Sequence, residues 1–235
     1  MKLKELTEAK QTPISPEIQP WMFKTKDEIE VWLVSIHKNN YTINDNLTVD
    51  IHQPVKFLPN NLKQGKIPVK FNIADSSFDV SMCRLLSLVG CPNHVTTHFS
   101  CSQNNLRSFE GGPTFVGGDY TAHSNMFDVF DGQCDWVTGT VYLHANPYLH
   151  SFHHIHKTFR GIGGSLSLDG AVVVSNLLGV LKIKYLGGIG VYNISANERI
   201  KTAIKIINKH LKDDRNIHFA QEELIEAGLS EYAKL

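Results

Sequence analysis

Neither sign of charge is in excess in this sequence: lysine plus arginine number 23, aspartate plus glutamate 23, and the formal net charge is zero. Without a basic surplus there is little to neutralise a phosphate backbone, so non-specific nucleic-acid binding is disfavoured. No apolar run approaches the length of a membrane span, and the opening stretch, MKLKELTEAKQTPISPEIQP, holds no apolar core of the kind a secretory signal needs. The expectation is a cytosolic protein with no membrane partner. Cysteine is also scarce. The four present, Cys83, Cys91, Cys101 and Cys134, form no CxxC pair and fall in one region. That suits reduced thiols used as small buried apolar groups better than a structural zinc site. With 42% apolar and 20% charged residues over 235 positions, the chain can build one large domain or two small ones.

What is present is a repeat. In FSCSQNNLRSF the residues Phe99, Cys101, Asn104, Leu106 and Phe109 recur 21 positions later as Tyr120, Ala122, Asn125, Phe127 and Phe130. A further step gives Val141, Leu143, Asn146 and Tyr148, and a step backwards gives Phe78, Val80, Cys83, Leu85 and Leu88. The pattern, apolar-x-apolar-x-x-Asn/Cys-x-apolar-x-x-apolar, has the register of a leucine-rich repeat. Looser copies extend it at both ends: Val55, Phe57, Asn60 and Leu62 before, then Leu166, Leu168 and Val173 with Ala171 in place of Asn, and a degenerate turn around Ile189 and Val191. The predicted fold is an α/β repeat solenoid of about six short coils around a parallel sheet. Strand alternation would turn Phe99 and Cys101 inward, and Ser100 and Ser102 outward. Asn104, Asn125 and Asn146 are expected to form a buried ladder bonding backbone groups at the turn, with Cys83 as a weaker donor at its start. The pairs in GCP, GGP, VGG and IGG are expected at corners on the far side of each coil.

Flanking segments read as caps. Thr25 and Glu28 have capping-box spacing, and Ile29, Trp32, Leu33 and Ile36 share a helical face. After the repeats, Ile200, Ile204, Ile207 and Leu211 mark one helix, and a second ends near Gly228. A solenoid needs such covers over its end coils. The expected organisation is an arm at 1–20, an N-terminal helical cap at 21–54, the solenoid at 55–195 and a C-terminal helical cap at 196–235.

The combination of KTKDEIEVWLVSIHKNNYTINDNLTVDI, LLSLVGCPNHVTTHFSCSQNNLRSFEGGPTFVGGDY, LLGVLKIKYLGGI and AQEELIEAGLSEYAKL resembles a family of leucine-rich-repeat-like proteins of T-even-type tailed bacteriophages. Its central unit, L-x-S-L-x-G-x-P-x-x-V-G-G-x-F-x-C-x-x-N, is matched at Leu85 to Asn104 and at Leu106 to Asn125. The pattern is departed from after Asn146, where PYLHSFHHIHKTFRGIGG is longer and rich in histidine. The resemblance implies a phage-encoded interaction protein in the host cell cytoplasm. Its partner would be a host or phage protein, such as a defence or toxin component that it inhibits or redirects.

Three outward rows follow from the register: His98, Asp119, Thr140 and Ser165; Ser100, Thr121, Tyr142 and Ser167; and Ser102, His123, His144 and Asp169. Solenoids recognise partners on extended faces of this kind, and hydroxyl, imidazole and carboxylate groups there favour hydrogen-bonded contact. The alternative is a merely solvated sheet face. The twelve histidines include HSFHHIHK, where His153 and His154 are candidate contacts on an exposed insertion. Adjacent loop histidines rarely converge as metal ligands, so no metal or cofactor is expected. GIGGS falls on the repeat rather than before a helix, and Cys101 occupies an inward position, so no catalytic constellation emerges. A binding role is the leading expectation. An enzyme or nucleotide-processing factor, for example one countering ADP-ribosylation of DNA, and a virion or assembly component are the alternatives.

Overall fold

Residues that recur every 21 positions come to lie above one another. The computed structural model describes residues 19–169, 176–192, 197–213 and 215–235. The expected arm lies almost wholly outside them, as do Ala171 and Val173. The chain opens with helix α1 (Lys26–Ser35) and a short antiparallel hairpin, β1 (Tyr41–Ile43) and β2 (Thr48–Ile51). There follow β3 (Val55–Lys56), β4 (Lys70–Ala74), β5 (Phe78–Asp79), β6 (His94–Val95), β7 (Phe99–Ser100), β8 (Phe115–Val116), β9 (Tyr120–Thr121), β10 (Trp136–Val137) and β11 (Val141–Tyr142). A one-turn helix α2 (Ile155–Thr158) precedes β12 (Gly161–Leu168) and β13 (Tyr185–Val191), and helices α3 (Glu198–Lys212) and α4 (Ile217–Glu226) close the chain.

The architecture is a parallel-sheet solenoid of about six coils with helical caps, as the repeat predicts. Val55, Phe78, Phe99, Tyr120, Val141, Leu166 and Ile189 pair in sequence, each with the next. The turn around Ile189 therefore forms the last tier. A finer feature differs from expectation: each central coil carries two short strands. The first column runs Ala74, Val95, Val116, Val137, Ile162 and Leu186, and long β12 and β13 span both columns. The glycine pair of VGG accordingly sits at the bend between the two strands and that of IGG inside β12 at its register shift, rather than at a far corner, while GGP does precede a first strand.

The core is built from the inward residues of the stacked strands together with apolar residues of the turns, such as Leu85, Leu106 and Phe127. Phe78, Phe99, Val116, Val137, Val141 and Leu166 are fully buried, and each buried aromatic or aliphatic side chain contributes roughly 1.5–3 kcal/mol. All four cysteines are buried and reduced. The asparagine ladder is present. Asn104 Oδ1 accepts from Cys83 N at 3.0 Å and Leu85 N at 2.9 Å, while its Nδ2 donates to Val80 O at 2.9 Å and Cys101 O at 3.0 Å. Asn125 and Asn146 repeat the pattern one and two coils on, and Cys83 Sγ donates to Phe57 O at 3.5 Å where the ladder begins. Immediately before each rung the chain turns through the left-handed region, at Met82, Gln103, Ser124 and Ala145. That turn carries the ladder residue inward.

Both ends are closed by side chains that take the place of a neighbouring strand or helix. At the first coil Thr25 and Glu28 form the capping box of α1, Ile29 and Leu33 are buried, and Trp32 stacks on Phe57 with its Nε1 donating to Asn61 O. At the last, Asn208 of α3 accepts from Ile189 N and donates to Ile189 O, both at 2.8 Å, pairing with the strand edge as another strand would. Ile200, Ile204, Ile207 and Leu211 of α3 are buried beneath it.

Candidate functional site

The second strand column presents the rows expected from the register, and the structure gives them different tasks. In the first row, at the bend, each side chain holds the backbone of the next coil. His98 Nδ1 accepts from Asp119 N at 3.0 Å, Asp119 Oδ1 from Thr140 N at 2.8 Å, and Thr140 Oγ1 from Ser165 N at 3.5 Å. This is a second ladder. Glycine is required beside it, because a Cβ on Gly139 would stand 2.2 Å from Asp119 Oδ1. His98 and Asp119 thus bridge coils, and His98 remains the exposed member.

The second row is freer. Ser100, Thr121 and Tyr142 are half-buried side chains pointing away from the core, whereas Ser167 is buried at 9% exposure and offers little surface. The third row divides as well. Ser102 is buried and bonds Thr121 O, but His123 and His144 stack at 4.5 Å between ring centroids, 15° from parallel. On the far side of His144 lies Tyr192, at 3.8 Å and 4°, and Tyr142 meets His144 edge-on at 6.3 Å. Asp169 accepts from Ala145 N at 3.1 Å. Burial lowers the pKa of both imidazoles. For His144 the neighbouring His123 lowers it further while Asp169 opposes. The pair is therefore held toward the neutral form, able to accept as well as donate.

The histidine-rich insertion folds differently from the rows. Phe152, Ile155 and Phe159 anchor it in the core, while His153 and His154 meet each other at 4.5 Å and His153 Nδ1 lies 3.4 Å from Asn176 Nδ2. Burial, with Lys157, His153 and Lys182 adding to it, lowers the pKa of His154. The structure does not bring these residues to the stacked rings of the sheet. Among the described residues, no three His, Cys, Asp or Glu side chains gather as a metal site would require.

The register of the first column carries a surface that sequence reasoning missed. His94, Phe115, Trp136, Gly161 and Tyr185 stand outward in succession. His94 and Phe115 stack at 4.4 Å, and the six-membered ring of Trp136 lies over Gly161, where a Cβ would be 2.2 Å from Cε3. Tyr185 meets Trp136 at 5.7 Å and 66°. The signal was available: His94, Phe115 and Trp136 keep the same 21-residue step. Only the assumption of one strand per coil hid it.

Fold and surface together define a helix-capped parallel β-solenoid with two patterned outer faces. Comparison with protein-family models, with curated proteins and with solved structures gives no match. No helix among the described residues is long and apolar enough to cross a membrane.

Proposed function

We propose that this protein is a binding module that engages a partner protein through the second-column face, and that it acts by occluding the partner's surface. The observation that carries the reading is the continuous ring cluster of Tyr142, His144, His123 and Tyr192 on a half-exposed sheet face edged by Thr121 and Ser100. Rings already stacked against one another lose little freedom on binding. Aromatic groups with hydroxyl neighbours also have the composition of interface anchors. The bacteriophage resemblance supports a partner within an infected host cell, a defence or toxin component being the kind of target it implies.

A triple substitution tests this. Thr121→Arg with His123→Ala and Tyr142→Ala alters the outward row without touching the asparagine ladder. Circular dichroism and the urea midpoint report whether the fold survives. A partner isolated with the native protein should be lost by more than tenfold in affinity, as hot-spot truncations of about 2 kcal/mol imply. Retention of that partner by the folded variant removes this face from the function.

A further inference from the structure

At the N-terminal end of the sheet three side chains form a line of hydrogen bonds. Thr42 lies in β1, His52 directly follows β2 and Asp75 directly follows β4, and these three strands are neighbours in the sheet. Thr42 Oγ1 is 3.0 Å from His52 Nε2, and His52 Nδ1 is 2.5 Å from Asp75 Oδ2. A carboxylate only accepts, so Asp75 fixes the imidazole proton on Nδ1 and leaves Nε2 to accept from the Thr42 hydroxyl. The backbone beneath is held. His52 N donates to Asn40 O at 2.9 Å, Asn40 Nδ2 donates to His52 O at 3.0 Å, and Asp75 N donates to Ile51 O at 3.0 Å. Hydroxyl, base and orienting carboxylate thus stand in the order that nucleophilic catalysis requires.

Two features border this line. Asn40 with His52 and Asn44 with Thr48 are hydrogen-bonded pairs of the hairpin, so by alternation Thr42 with Asp50 is another and the Ile43 N–H points away from β2. β1 ends the sheet on that side, which leaves this amide at an open edge, one residue beyond the hydroxyl. On the side of β4, Ile73 shares a face with Asp75, the buried Ala74 lying between them. Ile73 pairs with His94, which stacks on Phe115, and all three are half-buried. They make an apolar strip that starts beside the carboxylate.

We infer that Thr42, with His52 as its base, takes the acyl group from small carboxylic esters whose apolar acyl chain lies along Ile73, His94 and Phe115. This activity is separate from the binding role and does not rest on it. Thr42 Oγ1 adds to the ester carbonyl carbon while its proton passes to His52 Nε2, and the Ile43 N–H meets the oxyanion. The bond from that carbon to the alcohol oxygen breaks, and the alcohol leaves with the proton from His52. Water, giving its proton to the same imidazole, then splits the Thr42 ester, so that the carboxylic acid is released and the hydroxyl restored. The His52 and Asp75 side chains are 35% and 48% exposed, which gives water open access for this second step. Thr42 and His52 are catalytic residues, and Asp75 is a positioning residue.

The test is reaction of the full chain with p-nitrophenyl hexanoate and p-nitrophenyl acetate, read by nitrophenolate release and by mass spectrometry of the acylated peptides. The expected result is an acyl group on Thr42, faster reaction of the hexanoate, and release slowed at least about tenfold in Thr42→Val and in His52→Gln. Thr42→Ser should keep the reaction. Thr42→Val preserves shape at an exposed strand position, so its circular dichroism should match that of the native protein. Asp75→Asn reads the positioning role: the downfield Nδ1–H resonance of His52 should vanish and acylation should slow, and Asp75→Glu should restore both in part. Release by Thr42→Val at the native rate, which would be the work of the chain's other imidazoles, no acyl group at residue 42, or hexanoate no faster than acetate overturns the inference. The binding role fails separately, because Thr121→Arg/His123→Ala/Tyr142→Ala leaves Thr42, His52 and Asp75 in place and should react at the native rate.

Discussion

Removing a rung of the asparagine ladder should cost more than any surface change. Asn104, buried at 7% exposure, is the best satisfied of the three. In Asn104→Ala the N–H groups of Cys83 and Leu85 lose their acceptor and Val80 O loses its donor, all of them buried in the turn. Each buried group left unsatisfied costs roughly 1–3 kcal/mol, and partial relaxation brings the expected loss to about 3 kcal/mol, a large part of a domain's usual 5–15. Urea denaturation followed by circular dichroism would show this as a lower midpoint at similar slope. Two further variants separate hydrogen bonding from volume. Asn104→Cys, copying Cys83, should lose less than alanine, because a thiol still donates weakly. Asn104→Asp keeps the acceptor but sets a carboxylate against the carbonyls of Val80 and Cys101. Its native pKa should rise above the unfolded value of about 3.9, so its deficit against the native protein should be small at acid pH and grow as pH rises. An alanine variant within about 1 kcal/mol of the native protein would mean that the ladder does not hold the turns.

Four other outcomes follow from the same structure. Burial pushes the pKa of the Lys70 ammonium down to about 8, with Cys91 opposing. The native state therefore releases this proton before the unfolded chain, and stability should rise between about pH 8 and 10 by up to about 3 kcal/mol. Lys70→Met should abolish that rise, and a flat native profile would remove the buried charge from consideration. His123 and His144, with lowered native pKa values, should withdraw stability as pH falls below about 6.5; the His123→Gln/His144→Gln variant should be flatter from pH 7 to 5, and an identical slope would show that the stack does not titrate in this way. Ala145 turns at φ 55°, so Ala145→Gly should raise the unfolding free energy by roughly 0.5–1 kcal/mol, and a fall would mean the left-handed turn is not strained. Gly161→Ala should drive the Trp136 ring off the sheet and shift tryptophan emission to longer wavelength, an effect that Gly190→Ala, with open space around it, should not produce.

Much of this fold was legible because a 21-residue step puts one residue type at one place in every coil. Phe78, Phe99 and Tyr120 had only one way to stack, and an Asn recurring at a strand's end has backbone groups as its natural partners. The first column was hidden by its chemistry. His94, Phe115 and Trp136 differ in kind although not in spacing, and the glycines beside the bend read as turn markers when their task is to leave room for His98 and Asp119. The outward rows were legible as positions but not as roles. That Asp119 bonds Thr140 N, or that Ser167 is covered while Thr121 is half-open, depends on coil twist and on the long β12 and β13 strands, which no single repeat encodes. The stacking of Tyr192 on His144 joins residues from different tiers through a degenerate last turn, beyond the reach of the strict period.

The proposed binding role is tested most directly by affinity capture from the phage-infected cells that the bacteriophage resemblance implies, with the tagged native protein and the folded Thr121→Arg/His123→Ala/Tyr142→Ala variant side by side. Quantitative mass spectrometry should find one protein in near-stoichiometric amount with the native chain, reduced at least tenfold with the variant. Equal recovery by both would place recognition on another surface, and no enriched protein with either would remove the binding role itself.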